Sequence, residues 1–536
     1  MLSKLVVESF SWSTTTAADQ FHQPTAAAAA IVIALLILSL SLCLLLVVRK
    51  PSRAAAPGPR GLPLVGNLLS LDPELHTYLA GLAKSYGPIY RLKLGTKTCI
   101  VITSPAVAKE VLKDHDTTFA NRDVPVVAKE CSYGGVDIAW SPYGPDWRML
   151  RKVCVREMLC AKTLDSVYAL RRREIRRTIN HLFSQSQSQS GSTIDVGEQI
   201  FQVVFNVVTN MLWGNTVKGE DEASVVSEFK DVVGQMTALM GMPNFSDFYP
   251  VLERFDLQGI RKRMQGLACR FDRIFEAMID QRKRSKMTGD DDAAAGKESK
   301  DFLQFLLQLR DDADSQTTPL TITHLKALLM DMVVGGTDTT ANTIEFALAE
   351  MMGKPQVLKK AQQELDSVVG KDSIVEETHI SKLPYLYSVM KEVLRLHPTL
   401  PLLIPHCPSA ACTVSGYTIP KGARVFVNVW AIHRDPLIWE NPLEFNPERF
   451  SDAKLDFSGN DLSYLPFGSG RRICAGIAMG ERMFMYSLAS LVHSFDWSVP
   501  SGQSLDLSEK FGIVLKKKTP LVAVPTPRLP NSSLYE

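Results

Sequence analysis

Within Pro466–Gly476, PFGSGRRICAG, one thiol, Cys474, is bracketed by Phe467, by Gly468, Gly470 and Gly476, and by Arg471 and Arg472. Glycines let a backbone loop close under a flat group, an aromatic ring shields sulfur from water, and nearby cations favour thiolate over thiol. This setting is what a haem iron would need from a thiolate ligand, with a flat macrocycle lying against the loop. The opposing reading is a buried structural cysteine, since free cysteine is among the most buried residue types.

The 536 residues have room for two or three ordinary domains or one large one, and no internal repeat is visible. A formal charge of +2 gives no reason to expect a nucleic acid partner. From Ala26 to Val48, AAAAAIVIALLILSLSLCLLLVV, 23 residues carry no charge. As a helix at ~1.5 Å per residue they cross ~30 Å of hydrocarbon, which reads as one transmembrane anchor at 26–48. A secretory signal has a shorter apolar core, ~7 to 15 residues. Arg49, Lys50, Arg53 and Arg60 follow the run, whereas the tail 1–25 offers Lys4 against Glu8 and Asp19. The tail is therefore expected in the lumen and the rest of the chain in the cytosol. The stretch SFSWSTTTAADQ keeps a plastid membrane as the alternative address, although it contains no arginine.

Nine cysteines, Cys43, Cys99, Cys131, Cys154, Cys160, Cys269, Cys407, Cys412 and Cys474, have no CxxC spacing and fit a reducing compartment without a zinc site. On the cytosolic side the sequons at Asn244 and Asn531 should stay unmodified. Residues 49–66 are basic and proline-rich; Pro57, Pro59 and Pro63 predict a stiff spacer. ELHTYLAGLAKSYG predicts a helix ending on Gly87, and IYRLKLG with TCIVIT predicts a hairpin. From about Ser104 to about Leu400 the pattern is mostly helical, with Ser184–Ser192 and Lys286–Lys300 expected as flexible surface connections. Residues 67–536 thus read as one catalytic domain.

Val333–Thr340, VVGGTDTT, lies in an apolar helix expected over Thr323–Met352. Two interior glycines cost ~1 kcal/mol each against alanine, so either close helix packing or a widened groove must use Gly335 and Gly336. Asp338 and Thr339 set an acid beside a hydroxyl next to that groove. In KEVLRLHP, Glu392 and Arg395 share a helix face, which alone would be an ordinary exposed ion pair.

FxxGxRxCxG is matched at every fixed position around Cys474, and the segment resembles the haem-binding loop of the cytochrome P450 family. The chain is also similar to that family in GGTDTT, in ExxR, in Pro447-Glu-Arg-Phe450 with Arg449, and in Trp147 and Arg151 as WxxxR, in the same order. The resemblance covers nearly all of Pro57 to Leu521. It implies a mainly α fold with a large helical domain and a minor β region. It implies haem b ligated by Cys474 and shielded by Phe467, with propionates held by Trp147, Arg151, Arg472 and His406. Asp338 and Thr339 would then bind dioxygen and pass protons, while Glu392, Arg395 and Arg449 would lock the cysteine loop. Pocket contacts are assigned to the stretch near Val126 to Ile138, to Val333 and Val334, to Leu403 and Ile404, and to Phe511 and Ile513.

The implied activity is a haem-thiolate monooxygenase of the plant A-type, in the endoplasmic reticulum membrane. NADPH acts only through a cytochrome P450 reductase, with cytochrome b5 as a further partner. Arg148, Lys152, Arg156 and Arg471 are the cations expected to meet the reductase. A haem-thiolate dehydratase or isomerase, and a membrane-tethered haem sensor, are the competing classes; neither needs the Asp338 and Thr339 pair. The aliphatic pocket stretches point first to a terpenoid substrate, a monoterpene or sesquiterpene. A flavonoid or other phenolic is the alternative, for which Ser132 and Tyr133 are the candidate polar contacts.

Overall fold

The computed structural model describes Ala34 and residues 54–188, 192–213, 222–288, 301–311, 319–451 and 455–536. The expected tail and, apart from Ala34, the expected anchor lie outside the described residues. Among the described residues no helix is long and apolar enough to cross a membrane.

The described part of the proline-rich segment is bonded to the body rather than free. Arg91 N–H donates to the Pro57 carbonyl at 2.6 Å, and a Cβ on Gly58 would stand 1.9 Å from the Arg91 oxygen. Helix α1 (Leu75–Tyr86) ends at Gly87, whose φ of 88° suits a residue without a Cβ. The expected hairpin follows as β1 (Ile89–Leu94) and β2 (Lys97–Ile102), antiparallel with Ile89 opposite Ile102. Three later strands complete the sheet: β3 (Asn121–Arg122), β4 (His406–Cys407) and β5 (Arg424–Val427), in the order β1-β2-β5-β4-β3. β5 runs parallel to β2 with Cys99 opposite Arg424, and β4 sets His406 opposite Arg122. Two polar residues about 280 positions apart in sequence thus become neighbours.

Most of the chain between β3 and β4 is helical, as the periodicity predicts. The helices that matter for the site are α2 (Val126–Cys131), α3 (Pro145–Val153), α4 (Tyr168–Ser188), α5 (Val196–Trp213), α6 (Glu222–Met240), α7 (Ile260–Thr288), α8 (Ile322–Gly336), α9 (Asp338–Gly353) and α10 (Pro384–Leu396). After the cysteine loop comes α11 (Ile477–Ser494). α4 carries the Ser/Gln tract onward as helix to Ser188, which corrects the flexible connection expected from Ser184; residues 189–191 lie outside the described residues. α9 is buried from Ala341 to Met351 on every face, the signature of a helix at the centre of a large core.

The single helix expected over Thr323–Met352 is instead two, α8 and α9, separated at Thr337. There the backbone turns to φ −89° and ψ −73°, and the hydroxyl donates to the Val333 carbonyl at 2.8 Å. Near the C-terminus, Glu509–Lys510 pairs antiparallel with Lys516–Lys517. The intervening loop is tied down by Phe511 N–H to Glu74 Oε2 at 2.9 Å and by Leu515 N–H to the Thr399 carbonyl at 2.8 Å.

Candidate active site

Cys474 opens onto a cavity of about 350 Å³ walled on one side by Phe467, Gly468 and Ile473, and on the other by Gly335, Gly336, Thr339 and Thr340. The loop beneath is held tightly. Gly470 has φ of 67°, and a Cβ there would stand 2.2 Å from the Leu112 carbonyl oxygen, so only glycine fits. Cys474 N–H bonds back to the Phe467 carbonyl at 3.0 Å, and Gly476 N–H donates to the sulfur at 3.3 Å. The expectation that Arg471 and Arg472 ionise this thiol is wrong, because neither side chain turns toward it. Arg471 pairs with Asp116, and Arg472 runs to the carbonyls of Ala120 and Ile138. The thiol is exposed to the open cavity yet lies deep in the protein, and the poor solvation there pushes it up, against smaller opposing effects from the Gly476 N–H and Arg151.

Cations gather at one edge of the cavity. α3 places Trp147 and Arg151 one turn apart on its inner face and Arg148 and Lys152 on its exposed face. Trp147 Nε1 donates to the Ile138 carbonyl at 3.0 Å, Arg472 lies over its ring at 4.6 Å, and Arg151 reaches the Cys474 carbonyl at 3.4 Å. His406 Nδ1 donates to the Phe119 carbonyl at 2.9 Å; burial and Arg122 hold the ring neutral. Arg122, which sequence reasoning passed over, is the register partner of His406 and bonds the Ile404 carbonyl at 2.6 Å. Burial and Arg472 push Arg122 down to about 9, and burial pushes Arg472 down to about 10, with Asp137 the acid that opposes both. A thiol on one wall, a glycine-lined opposite wall and crowded guanidinium groups at one edge fit a flat dianionic macrocycle such as haem.

The glycine pair does not serve helix packing. A Cβ on Gly335 would meet nothing within 4 Å, and one on Gly336 would make an ordinary contact with Val208. The missing side chains leave room in the cavity. Thr339 lines it, its hydroxyl donating to the Gly335 carbonyl at 2.6 Å. Asp338 is not on the cavity wall: its Oδ2 pairs with Lys516 Nζ at 3.0 Å, and Lys516 is itself half exposed.

Glu392, Arg395 and Arg449 do come together. Arg395 makes two bonds to Glu392, at 2.7 and 2.8 Å, and Arg449 a third at 3.0 Å, with Glu392 and Arg395 fully buried. Arg395 also donates to the carbonyls of His433, Pro442 and Glu444.

Of the expected pocket residues, Val334, Leu403, Ile404 and Ile513 line the cavity and Val126, Val333 and Phe511 do not. Val333 is one position, about 100°, round α8 from Val334 and faces the core. Val126 is buried in α2, and Phe511 stacks on His76 at 5.4 Å. Ser132 lines the cavity, but Tyr133 sends its hydroxyl to Asp272 on α7 at 2.9 Å. Two carboxyls that sequence reasoning missed, Asp137 and Asp331, are also in the wall. Asp331 had a signal: it is the one charge between Ala327 and Thr337 of an apolar helix.

The family model "Cytochrome P450" matches residues 56–524. The chain belongs to the cytochrome P450 family. A flavonoid 3'-monooxygenase of Petunia hybrida is 40% identical over 484 residues, 88% of this chain and 92% of that one. A flavonoid 3',5'-hydroxylase of Solanum melongena is 40% identical, covering 89% of this chain and 91% of its own, and a geraniol 8-hydroxylase of Swertia mussotii is 40% identical, covering 89% and 94%. A zebra fish cytochrome P450 structure with progesterone superposes with a TM-score of 0.71 at 26% identity, covering 85% of this chain and all of that one. The chain is therefore a haem-dependent plant P450 monooxygenase of specialised metabolism, supplied with NADPH electrons through a reductase. These relatives support the flavonoid alternative better than the terpenoid expectation.

Proposed function

We propose that this P450 hydroxylates a small, uncharged, largely hydrophobic metabolite, with a flavonoid aglycone as the first scaffold to test. The observation that carries the uncharged class is the state of the polar groups in the wall. Ser132, Thr237 and Thr339 each give their hydroxyl proton to a carbonyl of their own helix, and the cations are drawn to the far edge of the cavity. A carboxylate substrate would lose several kcal/mol of hydration, with the cations already engaged at that far edge. The flavonoid scaffold is supported by the names of the flavonoid hydroxylases among the relatives. A terpenoid alcohol is the second reading, favoured by the geraniol 8-hydroxylase and by aliphatic wall residues such as Val334, Ile404 and Ile513.

Haem b, when bound, supplies the activation of dioxygen and the insertion of one oxygen atom into the substrate. Cys474 would provide the thiolate ligand, since coordination to a metal ion deprotonates a thiol outright. Trp147, Arg151, Arg472, His406 and Arg122 would hold the propionates. Thr339 would hand on a proton at its Oγ1, with Asp338 behind it as the acid linked to solvent through Lys516. Glu392, Arg395 and Arg449 would steady the loop at one remove, since Arg395 bonds the carbonyls of His433, Pro442 and Glu444 rather than the loop itself.

Residues 26–48 are proposed to anchor the domain to the endoplasmic reticulum membrane, with reductase and cytochrome b5 docking on the face of Arg148 and Lys152. Side-by-side assays of the holoenzyme with a plant reductase, naringenin and geraniol test the reading. NADPH-dependent hydroxylation of either supports an uncharged substrate. Turnover of carboxylated analogues alone would overturn it.

A further inference from the structure

Glu481 stands seven residues after Cys474, on the second turn of α11. It lines the cavity onto which Cys474 opens and also a second cavity, walled by Tyr168, Tyr385, Tyr387 and Lys391, whose rim at Asp165 and Lys360 is exposed. Among the described residues Glu481 alone belongs to both walls. No cation among them comes within ion-pair distance of its carboxyl. Arg482 turns instead to Asp165 and Glu377, and Lys391 donates to the Leu455 carbonyl at 2.6 Å with its ammonium over the rings of Tyr387 and Phe450. What does reach Glu481 is the Tyr387 hydroxyl, which donates a hydrogen bond to it.

We propose that Glu481 couples a proton to the electron that the haem receives, taking up a proton from the surface cavity when the iron is reduced and returning it on re-oxidation. Reduction adds one negative charge to the thiolate-ligated haem, and a carboxylate lining the same poorly solvated cavity is repelled by it. One proton bound to a Glu481 oxygen cancels that charge. The electron comes from the reductase and the proton from solvent, so no further reactant is needed. A carboxylate locked in an ion pair would stay charged in both states and would not respond. Glu481 has no such lock, and burial holds it above the ordinary carboxylate range against the smaller effects of the Tyr387 hydroxyl, Arg482 and Lys391. Those three groups face it from α10 and from its own helix, and Asp456 acts in turn on Lys391. In its ionised form the carboxyl favours the ferric state and lowers the midpoint potential. Nothing in this coupling depends on the substrate, only on haem bound to Cys474.

The test is a spectroelectrochemical titration of the substrate-free holoenzyme from about pH 5 to about pH 8, read at the Soret band. If reduction tightens proton binding at Glu481 about tenfold, the wild-type midpoint falls by about 59 mV across its titration. Glu481→Gln, neutral at every pH, should approach wild type at the acid end, lie above it at the alkaline end and lack the fall. Tyr387→Phe removes a hydrogen bond that favours the charged carboxylate, so the fall should move to higher pH. A merely structural role for Glu481 would displace the midpoint of Glu481→Gln equally at every pH, which would overturn the proposal. So would a fall that persists unchanged in Glu481→Gln, the mark of the propionates or another group, and so would a wild-type midpoint independent of pH, a result that needs no variant. Where Glu481→Gln fails to keep haem, Tyr387→Phe decides: a profile superimposable on wild type would overturn the coupling, and a displaced fall would support it.

Discussion

His433 Nε2 accepts the backbone N–H of Leu465 at 2.8 Å. The other ring nitrogen, Nδ1, is 3.1 Å from the Arg395 carbonyl and must carry the proton. One neutral imidazole therefore joins the buried Glu392 and Arg395 pair to the segment that leads directly into Pro466 and the thiol loop. Burial and Arg395 push this ring down to about 3, so it keeps that tautomer at every working pH.

His433→Ala should leave the Leu465 N–H buried without a partner, at a cost of ~1 to 3 kcal/mol. The expected outcome is a lower Tm and faster transfer of haem to apomyoglobin. Unchanged haem retention would show that the loop does not depend on this link.

Cys474→Ser should abolish the red-shifted Soret band of the reduced carbon monoxide complex. A variant that keeps the band would remove Cys474 from the iron.

Thr339→Ala should still consume NADPH but divert it to hydrogen peroxide. Comparing product with NADPH consumed checks this, and unchanged coupling would end the proton role. Lys516→Met, which strips Asp338 of its partner, should disturb coupling in the same direction with little effect on substrate affinity.

Gly335→Ala should raise stability by ~0.5 to 1 kcal/mol, since the glycine is helical and its Cβ would enter open space. The same methyl narrows the cavity, so the ratio of hydroxylated products should change. Gly470→Ala, in contrast, should fail to hold haem. Differential scanning fluorimetry and product profiles separate the two.

His397 lies between two carboxylates, Nε2 at 2.8 Å from Glu350 and Nδ1 at 2.6 Å from Glu509, with Arg434 and His76 also against Glu509. These bonds raise its pKa above 6.5 despite burial. The charged ring's contribution is complete below pH 6.5 and fades as pH rises through the raised value. Glu509, held well below the usual range against burial by hydrogen bonds from His397 and His76, contributes above about pH 4.5. The Tm difference between wild type and His397→Gln should therefore be largest near pH 6 and shrink by pH 9. A difference independent of pH would refute the ionic reading.

Residues that meet through a local spacing were legible in the sequence: Glu392 with Arg395, whose spacing alone nonetheless reads as an exposed pair and not the buried one found, Trp147 with Arg151, and Cys474 among its glycines. Each needs only one helix turn or one loop to be recognised. Arg122 was not legible, because its meeting with His406 depends on strands far apart in the chain. The direction of a side chain also escaped. Arg472 is two residues from Cys474 and turns away from it, while Asp338 precedes Thr339 and leaves the cavity wall. Adjacent residues on a helix diverge by about 100°, and sequence adjacency is a poor guide to shared chemistry there. The break at Thr337 left no compositional mark that outweighed the apolar run around it.

The C-terminal hairpin concentrates several duties in few residues. Glu509 grips His397, Ile513 and Val514 face the cavity, and Lys516 pairs with Asp338. Substitutions that reshape the pocket from this side act within three residues of the cation that holds the acid. A change of substrate obtained by swapping this segment between relatives would arrive together with a change in how efficiently reducing equivalents reach product. Altered specificity is more separable when introduced from the Leu403 and Ile404 side, where the chain carries pocket wall without that ion pair.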